Sequence, residues 1–310
     1  MKSRIARVSP RKPRIIVVGA TGQIGTAVFQ NLERLTRYEV IGTFFKTNRL
    51  GVNAHLDLTN QQTYSNIGEL SSQDIVLLLS AVAQPQRVFS NYVVAEETNT
   101  HGTRNFLSYL NSTGARILFF SSVEVFDGSS APSSETDSCN PLNKYGRQKY
   151  FIESYLQALV EKSQYKILRL PWNISSTTGF HCVVENTYRA VMTNEARFAK
   201  DYLSSAISVN DTSQVVKLII ENFESIDSNI LHVASDQFFS RLQLAEYVQQ
   251  HSRVLHGCSF EEVEFNELAL LEPRSKDSRL NNSLIKQYLE YDFEDIWALI
   301  ARKVSILDNG

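Results

Sequence analysis

The run Arg14-Ile15-Ile16-Val17-Val18, passing straight into Gly19-Ala20-Thr21-Gly22-Gln23-Ile24-Gly25, limits the fold more than any other stretch. Four β-branched residues in succession suit a strand buried on both faces of a parallel sheet. Glycines at every third position, between that strand and an amphipathic helix reaching about Leu35, allow a tight turn and close backbone approach at an open helix N-terminus. A pyrophosphate needs this arrangement, so Gly19, Thr21, Gly22, Gln23, Ile24 and Gly25 are read as a dinucleotide cradle.

The second strand, Glu39 to Phe45, ends without the acid that would bind the adenosine ribose of NAD; Lys46 and Arg49 follow instead. Two cations suit a 2′-phosphate, so NADP is favoured over NAD. After a third short strand, Asp57 and Leu58 stand at a strand end near an adenine, unless Asp57 caps the helix that follows. Ile75 to Leu79 is a fourth buried strand, and Ser80, Ala81 and Val82 beyond it give a nicotinamide a backbone to lie against. A long helix from about Arg87 to Leu110 carries Asn99. Ile117 to Phe120 then delivers Ser121 and Ser122 to the carboxyl edge of the sheet, where open α/β sheets bind their ligands.

Tyr145 and Lys149 stand four residues apart on an opening helix, so their side chains share one face. A free Tyr titrates at about 10 and becomes a proton donor and acceptor near neutrality when a neighbouring cation lowers that value. Lys149 is the expected cation.

Strands alternate with helices as far as a sixth strand, Tyr165 to Leu170. This predicts a Rossmann-type doubly wound parallel α/β sheet over 14–171, with right-handed crossovers. From 172 to 310 the alternation loosens into helices near 183–195, 212–223, 241–252 and 291–305 and a strand at Ile230 to Val233. That part is expected to form a smaller α/β substrate lobe, with about 205–235 returning to the sheet. At 310 residues, 43% hydrophobic and 21% charged, the chain can bury both parts. Its net charge of -2 gives no electrostatic footprint for nucleic acid or an anionic membrane, and no stretch offers the roughly eighteen apolar residues of a membrane span. Cys139, Cys182 and Cys258 are too scattered for a disulfide framework or a zinc site, so no metal is expected and reduced thiols point to the cytoplasm. Residues 1–13, with Lys2, Arg4, Arg7, Arg11 and Lys12, read as a frayed basic tail because no separate apolar segment follows them.

With these motifs in this order the chain resembles the extended short-chain dehydrogenase/reductase family over most of its length. Gly19 to Gly25 looks like that family's cofactor turn, and Asn99-Thr100-His101-Gly102-Thr103-Arg104-Asn105 like its helix-four motif with an active-site Asn. Ser121-Ser122-Val123-Glu124-Val125-Phe126 is similar to its strand-five motif, with the catalytic hydroxyl at Ser122, and Tyr145 with Lys149 to its catalytic pair. Within the family, Val125-Phe126-Asp127-Gly128, Pro141 to Gly146, Ile167-Leu168-Arg169 and Glu272-Pro273-Arg274 most resemble the dTDP-4-dehydrorhamnose reductases. The β regulatory subunit of methionine adenosyltransferase shares the same motifs.

The resemblance implies NADPH-dependent reduction of a 4-keto sugar nucleotide. Tyr145 donates a proton to the carbonyl oxygen, Ser122 hydrogen-bonds it, and Lys149 stabilises the phenolate and binds the nicotinamide ribose. A homodimer paired through the helices of Asn99 and Tyr145 is a further implication. Glu124, Trp172, Asn173 and Arg274 are substrate-side candidates; Ser80 to Gln86 and Trp172-Asn173 depart from the family's usual residues. A nucleotide diphosphate needs cations, and Arg189, Arg197, Lys200, Arg241 and Arg274 all lie in the second lobe. Two other readings stay open. An NAD-dependent epimerase or dehydratase is favoured by an acid, Glu124, in the strand-five motif. A non-catalytic cofactor-binding subunit is disfavoured by the intact Ser122, Tyr145 and Lys149.

Overall fold

A computed structural model describes residues 11–52, 54–177 and 182–309. Lys2, Arg4 and Arg7 of the expected tail lie outside the described residues. Arg11 is not frayed: its guanidinium pairs with Asp74 at 2.6 Å, and Asp74 also accepts the Arg14 N–H at 2.9 Å.

The strands in chain order are β1 (Arg14–Val18), β2 (Glu39–Phe44), β3 (Ala54–His55), β4 (Ile75–Leu78), β5 (Arg116–Ser122), β6 (Tyr165–Leu170), β7 (Trp172–Ile174), β8 (Arg197–Ala199), β9 (Leu203–Ser208), β10 (Ile230–His232), β11 (Phe238–Ser240), β12 (Glu261–Val263) and β13 (Asp277–Ser278). The helices are α1 (Gln23–Leu32), α2 (Pro85–Ser90), α3 (Tyr92–Glu96), α4 (Thr103–Thr113), α5 (Lys144–Leu159), α6 (Val183–Val191), α7 (Val209–Glu221), α8 (Arg241–His251), α9 (Ser283–Tyr288) and α10 (Ile296–Asp308). One sheet of seven strands runs β10-β6-β5-β4-β1-β2-β3 with every pair parallel.

Alternation along β1 explains why the sheet is covered on both sides. Ile15 and Val17 join Val28, Phe29 and Leu32 of α1 and Val215, Val216 and Ile219 of α7 in one core. Ile16 and Val18 face the other way, toward Phe106, Leu107 and Leu110 of α4 and Ile152 and Leu156 of α5. Each such side chain, withdrawn from water, stabilises the fold by about 1.5–3 kcal/mol. The result is a doubly wound α/β fold of Rossmann type.

The chain leaves this sheet at Pro171: β7 pairs with β9, the centre of a second sheet that also holds β11 and β13. Helices α6, α8 and α10 pack with it around Val184, Leu244, Val248, Leu299 and Ile300. Between β9 and β11, α7 packs on the first core and β10 pairs with β6.

The single helix expected over 87–110 is broken. Asn91, at φ -128° and ψ 44°, separates α2 from α3, and a π-helical turn over Glu97–Gly102 precedes α4. Asn99 lies on this wide turn and is buried. Gly102 is required where it ends, since a Cβ there would lie 2.9 Å from the Leu58 carbonyl carbon. The first helix stops at Leu32, short of Leu35, and the last starts at Ile296 because Asp295 caps it through the Trp297 N–H at 2.9 Å.

Candidate active site

Close approach is built into the turn after β1. Gly19 has φ +90°, and a Cβ on it would lie 3.0 Å from the Ser80 nitrogen; a Cβ on Gly25 would lie 2.1 Å from the Gly19 carbonyl oxygen. Gly22 caps α1 without a side-chain hydrogen bond. The leading N–H groups of α1 are therefore left for a negatively charged ligand. Thr21, Gln23 and Ile24 are partly exposed around this opening, and Gln23 reaches the Asn173 carbonyl at 3.4 Å. A Cβ-free cradle at an uncapped helix end fits the pyrophosphate of a dinucleotide.

At the end of β2, Lys46 extends over the exposed Phe45 ring, 5.3 Å from its centroid, and Arg49 is exposed in the same loop. Asp57 has one carboxylate oxygen bound to the N–H and hydroxyl of Thr59, at 2.9 and 2.7 Å. The cap of the helical turn that follows is Asn60, not Asp57. Leu58 is buried in the core and its carbonyl is taken by the Tyr64 hydroxyl at 2.7 Å, so its side chain is not available to an adenine.

The end of β5 and the first turn of α5 bring Ser122, Tyr145 and Lys149 together. Asn143 caps α5 through the Gly146 N–H at 2.9 Å, and a Cβ on Gly146 would meet the Glu124 carbonyl oxygen at 2.0 Å, so helix start and strand end are pressed together. Ser122 hydrogen-bonds the Tyr145 phenol and accepts the Glu124 N–H at 3.2 Å. Lys149 Nζ donates to the Phe120 carbonyl at 2.7 Å and stands 5.8 Å from the Tyr145 ring centroid.

The electrostatics correct one expectation. Burial, and then the Glu124 charge, push the Tyr145 phenol upward, against the Ser122 hydrogen bond that lowers it. Lys149 does not govern it. Burial pulls the Lys149 amine down to about 8, although Glu153 opposes this. The phenol is therefore held protonated at neutral pH, which suits a proton donor.

Asn99 is buried and holds a neighbouring loop. Its Oδ1 accepts the Val82 N–H at 2.8 Å; its Nδ2 donates to the Val82 carbonyl at 2.9 Å and to Gln148 Oε1 at 2.8 Å. Both N–H bonds of that carboxamide and one lone pair of its oxygen are committed, so it clamps the Ser80–Val82 loop. Ser80 and Ala81 stay partly exposed beside the glycine turn, and Val82 packs with Tyr145, Val88 and Ala95.

On the side of the second sheet, Asn143 Nδ2 donates to Glu124 at 2.6 Å. Burial raises the Glu124 carboxyl, with Arg274 and Asn143 opposing and Glu272 reinforcing. Arg274 bonds Gln86 at 2.7 Å and the Tyr202 phenol. Arg241 lies 5.5 Å from the Trp172 ring centroid and 5.8 Å from that of Phe198; burial lowers it to about 10, and no carboxylate pairs with it among the described residues. The Asn173 carboxamide accepts from the Thr212 hydroxyl at 2.7 Å and donates to the Pro171 carbonyl at 3.1 Å, which fixes its orientation. Arg189, Arg197 and Lys200 pair with Glu185, Glu261 and Glu264.

Sequence reasoning missed Glu153, Gln148 and Tyr202. A signal existed for the first: Glu153 stands four residues beyond Lys149 on the same helix face, and Arg169 lies in a strand with no room for an unpaired charge.

Over residues 13–302 the sequence matches the family described as RmlD substrate binding domain. Methionine adenosyltransferase 2 subunit beta of Bos taurus is 27% identical over 158 residues, 51% of this chain and 46% of that protein. A dTDP-4-dehydrorhamnose reductase of Aggregatibacter actinomycetemcomitans is 29% identical over 160 residues, 51% of this chain and 51% of that protein. The chain spans about half the length of these curated relatives. In fold it is similar to dTDP-4-dehydrorhamnose reductase from Bacillus anthracis in complex with NADP, with a TM-score of 0.75 and 21% identity, covering 96% of this chain and 99% of that one. A match that begins just before β1 and ends inside α10 leaves one assignment: the chain belongs to the RmlD substrate binding domain family.

Proposed function

We propose that the protein reduces the keto group of a nucleotide-linked 4-keto sugar with NADPH, a reductase of the dTDP-4-dehydrorhamnose type. The observation that carries this reading is the meeting of Ser122, Tyr145 and Lys149 at the carboxyl edge of β5, beside a loop that abuts the glycine turn. When bound, the nicotinamide supplies the hydride. Tyr145, kept protonated by burial, gives its proton to the carbonyl oxygen as negative charge develops there. Ser122 holds the same oxygen by a hydrogen bond, and Lys149 keeps a positive charge beside the phenolate that remains.

Support for NADPH comes from Lys46 and Arg49, exposed where β2 ends, and from the NADP in the Bacillus anthracis reductase. Arg241 and Arg274 are the cations suited to the substrate's diphosphate, with Glu124 and Trp172 toward its sugar. Exposed Tyr92, Val93 and Val94 on α3 and Tyr150 and Phe151 on α5 support a homodimer through these helices. Three unpaired cysteines are in keeping with a cytoplasmic setting. Among the described residues no helix is long and apolar enough to cross a membrane.

The test is NADPH consumption with 4-keto sugars linked to dTDP, UDP or GDP. Wild type turns over at least one, and Tyr145→Phe loses roughly 10²–10⁴-fold. A Tyr145→Phe variant at full rate removes Tyr145 as the acid. Redox-neutral conversion with tightly held NAD would instead favour an epimerase or dehydratase, for which the Glu124 charge next to Tyr145 is the supporting observation. Cofactor binding with no turnover on any sugar would leave a regulatory subunit.

A further inference from the structure

Gln148, between Tyr145 and Lys149 on α5, is 4% exposed and both ends of its carboxamide are used. Oε1 accepts from Asn99 Nδ2 at 2.8 Å, and Nε2 donates to Glu96 Oε2 at 2.8 Å. Asn99 in turn closes two hydrogen bonds on the Val82 backbone. Two residues further on, Gln84 is held at φ +77°, a region that a residue with a side chain occupies only when its surroundings force it.

The loop so held has two neighbours that matter. Ser80 lies against Gly19, close enough that a Cβ there would come within 3.0 Å of its nitrogen, and Val82 packs with the Tyr145 ring. Any shift of the loop therefore alters the cofactor cradle and the phenol together. Without Gln148, Asn99 could turn its carboxamide and release Val82, because a terminal amide torsion is broad and the π-helical turn alone does not fix it.

We propose that Gln148 is a positioning residue: through Asn99 it locks the Ser80–Val82 loop at the spacing the nicotinamide end of the cofactor requires, and ties that spacing to the helix bearing Tyr145 and Lys149. This rests on the NADPH reading above. Its loss weakens cofactor affinity rather than merely loosening the fold.

The test uses the full chain and NADPH, with affinity read by calorimetry and thermal melting recorded on the free protein. Gln148→Leu keeps the volume and removes both hydrogen bonds. Gln148→Glu faces Glu96 with a second carboxylate, and Glu96→Gln/Gln148→Glu restores the pair with donor and acceptor exchanged. Expected is a tenfold or greater rise in the NADPH Kd for Gln148→Leu and Gln148→Glu, recovering to within threefold of wild type in the double variant. Unchanged affinity in Gln148→Leu, with or without a lower melting temperature, overturns the proposal. So does a double variant as weak as Gln148→Glu. If Gln148→Leu does not fold, the comparison of Gln148→Glu with the double variant decides. Wild-type protein that binds no NADPH removes the proposed function itself, a result distinct from the other failures.

Discussion

Arg169 grips both carboxylate oxygens of Glu153 away from solvent: Nε lies 3.1 and 3.2 Å from them and a terminal nitrogen lies 2.7 Å from Oε2. The Ser121 hydroxyl donates to the same carboxylate. A buried pair of this kind adds little over an apolar replacement, but removing one partner strands a charge in a medium that cannot solvate it. The pair links β5, α5 and β6 next to Lys149, so its geometry bears on the site as well as on the fold.

Glu153→Ala is expected to lower the unfolding free energy by about 3–5 kcal/mol, by leaving Arg169 uncompensated. Urea denaturation measures it. A loss below about 1 kcal/mol would mean that water reaches Arg169 and that the pair is not the enclosed one described.

His232 makes stability fall with acid. It is fully buried, donates from Nδ1 to the Asn281 carbonyl at 3.2 Å and presents Nε2 to Arg169 at 3.5 Å; burial, with the Arg169 charge, pulls it down to about 3. Its folded value lies below the unfolded one of about 6.5. Its contribution is therefore complete above pH 6.5 and is lost as pH falls toward 3, at up to about 1.4 kcal/mol per pH unit. Denaturation at pH 7 and pH 4.5 should show a smaller acid loss in His232→Gln than in wild type; equal losses would refute the assignment.

Lys149 predicts the alkaline limb of activity. With the amine pulled down to about 8, its positive charge disappears as pH rises through that value, and kcat/KM for carbonyl reduction falls with it. Lys149→Arg should move the limb upward even if the rate is lower. An identical limb in Lys149→Arg assigns it elsewhere.

Arg241→Met separates binding from stability. A half-buried guanidinium with no carboxylate partner among the described residues adds little to the stability of the free protein, so an apolar side chain of similar length should leave the melting temperature unchanged or raise it. Loss of a charge-assisted contact of about 1.5–3 kcal/mol should weaken a nucleoside diphosphate about 10–100-fold, measured by calorimetry. A large drop in melting temperature with unchanged affinity would make Arg241 a packing residue only.

Residues 14–18 and the glycines that follow fixed the first βα unit by themselves, because strand burial and glycine turns are local properties written in adjacent positions. Tyr145 and Lys149 were legible for the same reason, being one helical turn apart. What the residues could not announce is which distant groups face them. The upward push on Tyr145 comes first from burial by its neighbours and then from Glu124, which lies 21 positions earlier on another element, and the engagement of Asn99 comes from Val82 and Gln148. The break of the 87–110 helix into α2, α3, a π-helical turn and α4 was hidden because the segment's periodicity is helical throughout; contact with the neighbouring loop decided where it opens. Sequence determined the first βα unit and the chemistry available along the chain. Only packing decided which charges are desolvated and which hydrogen bonds are spent, because both depend on neighbours brought from elsewhere in the chain.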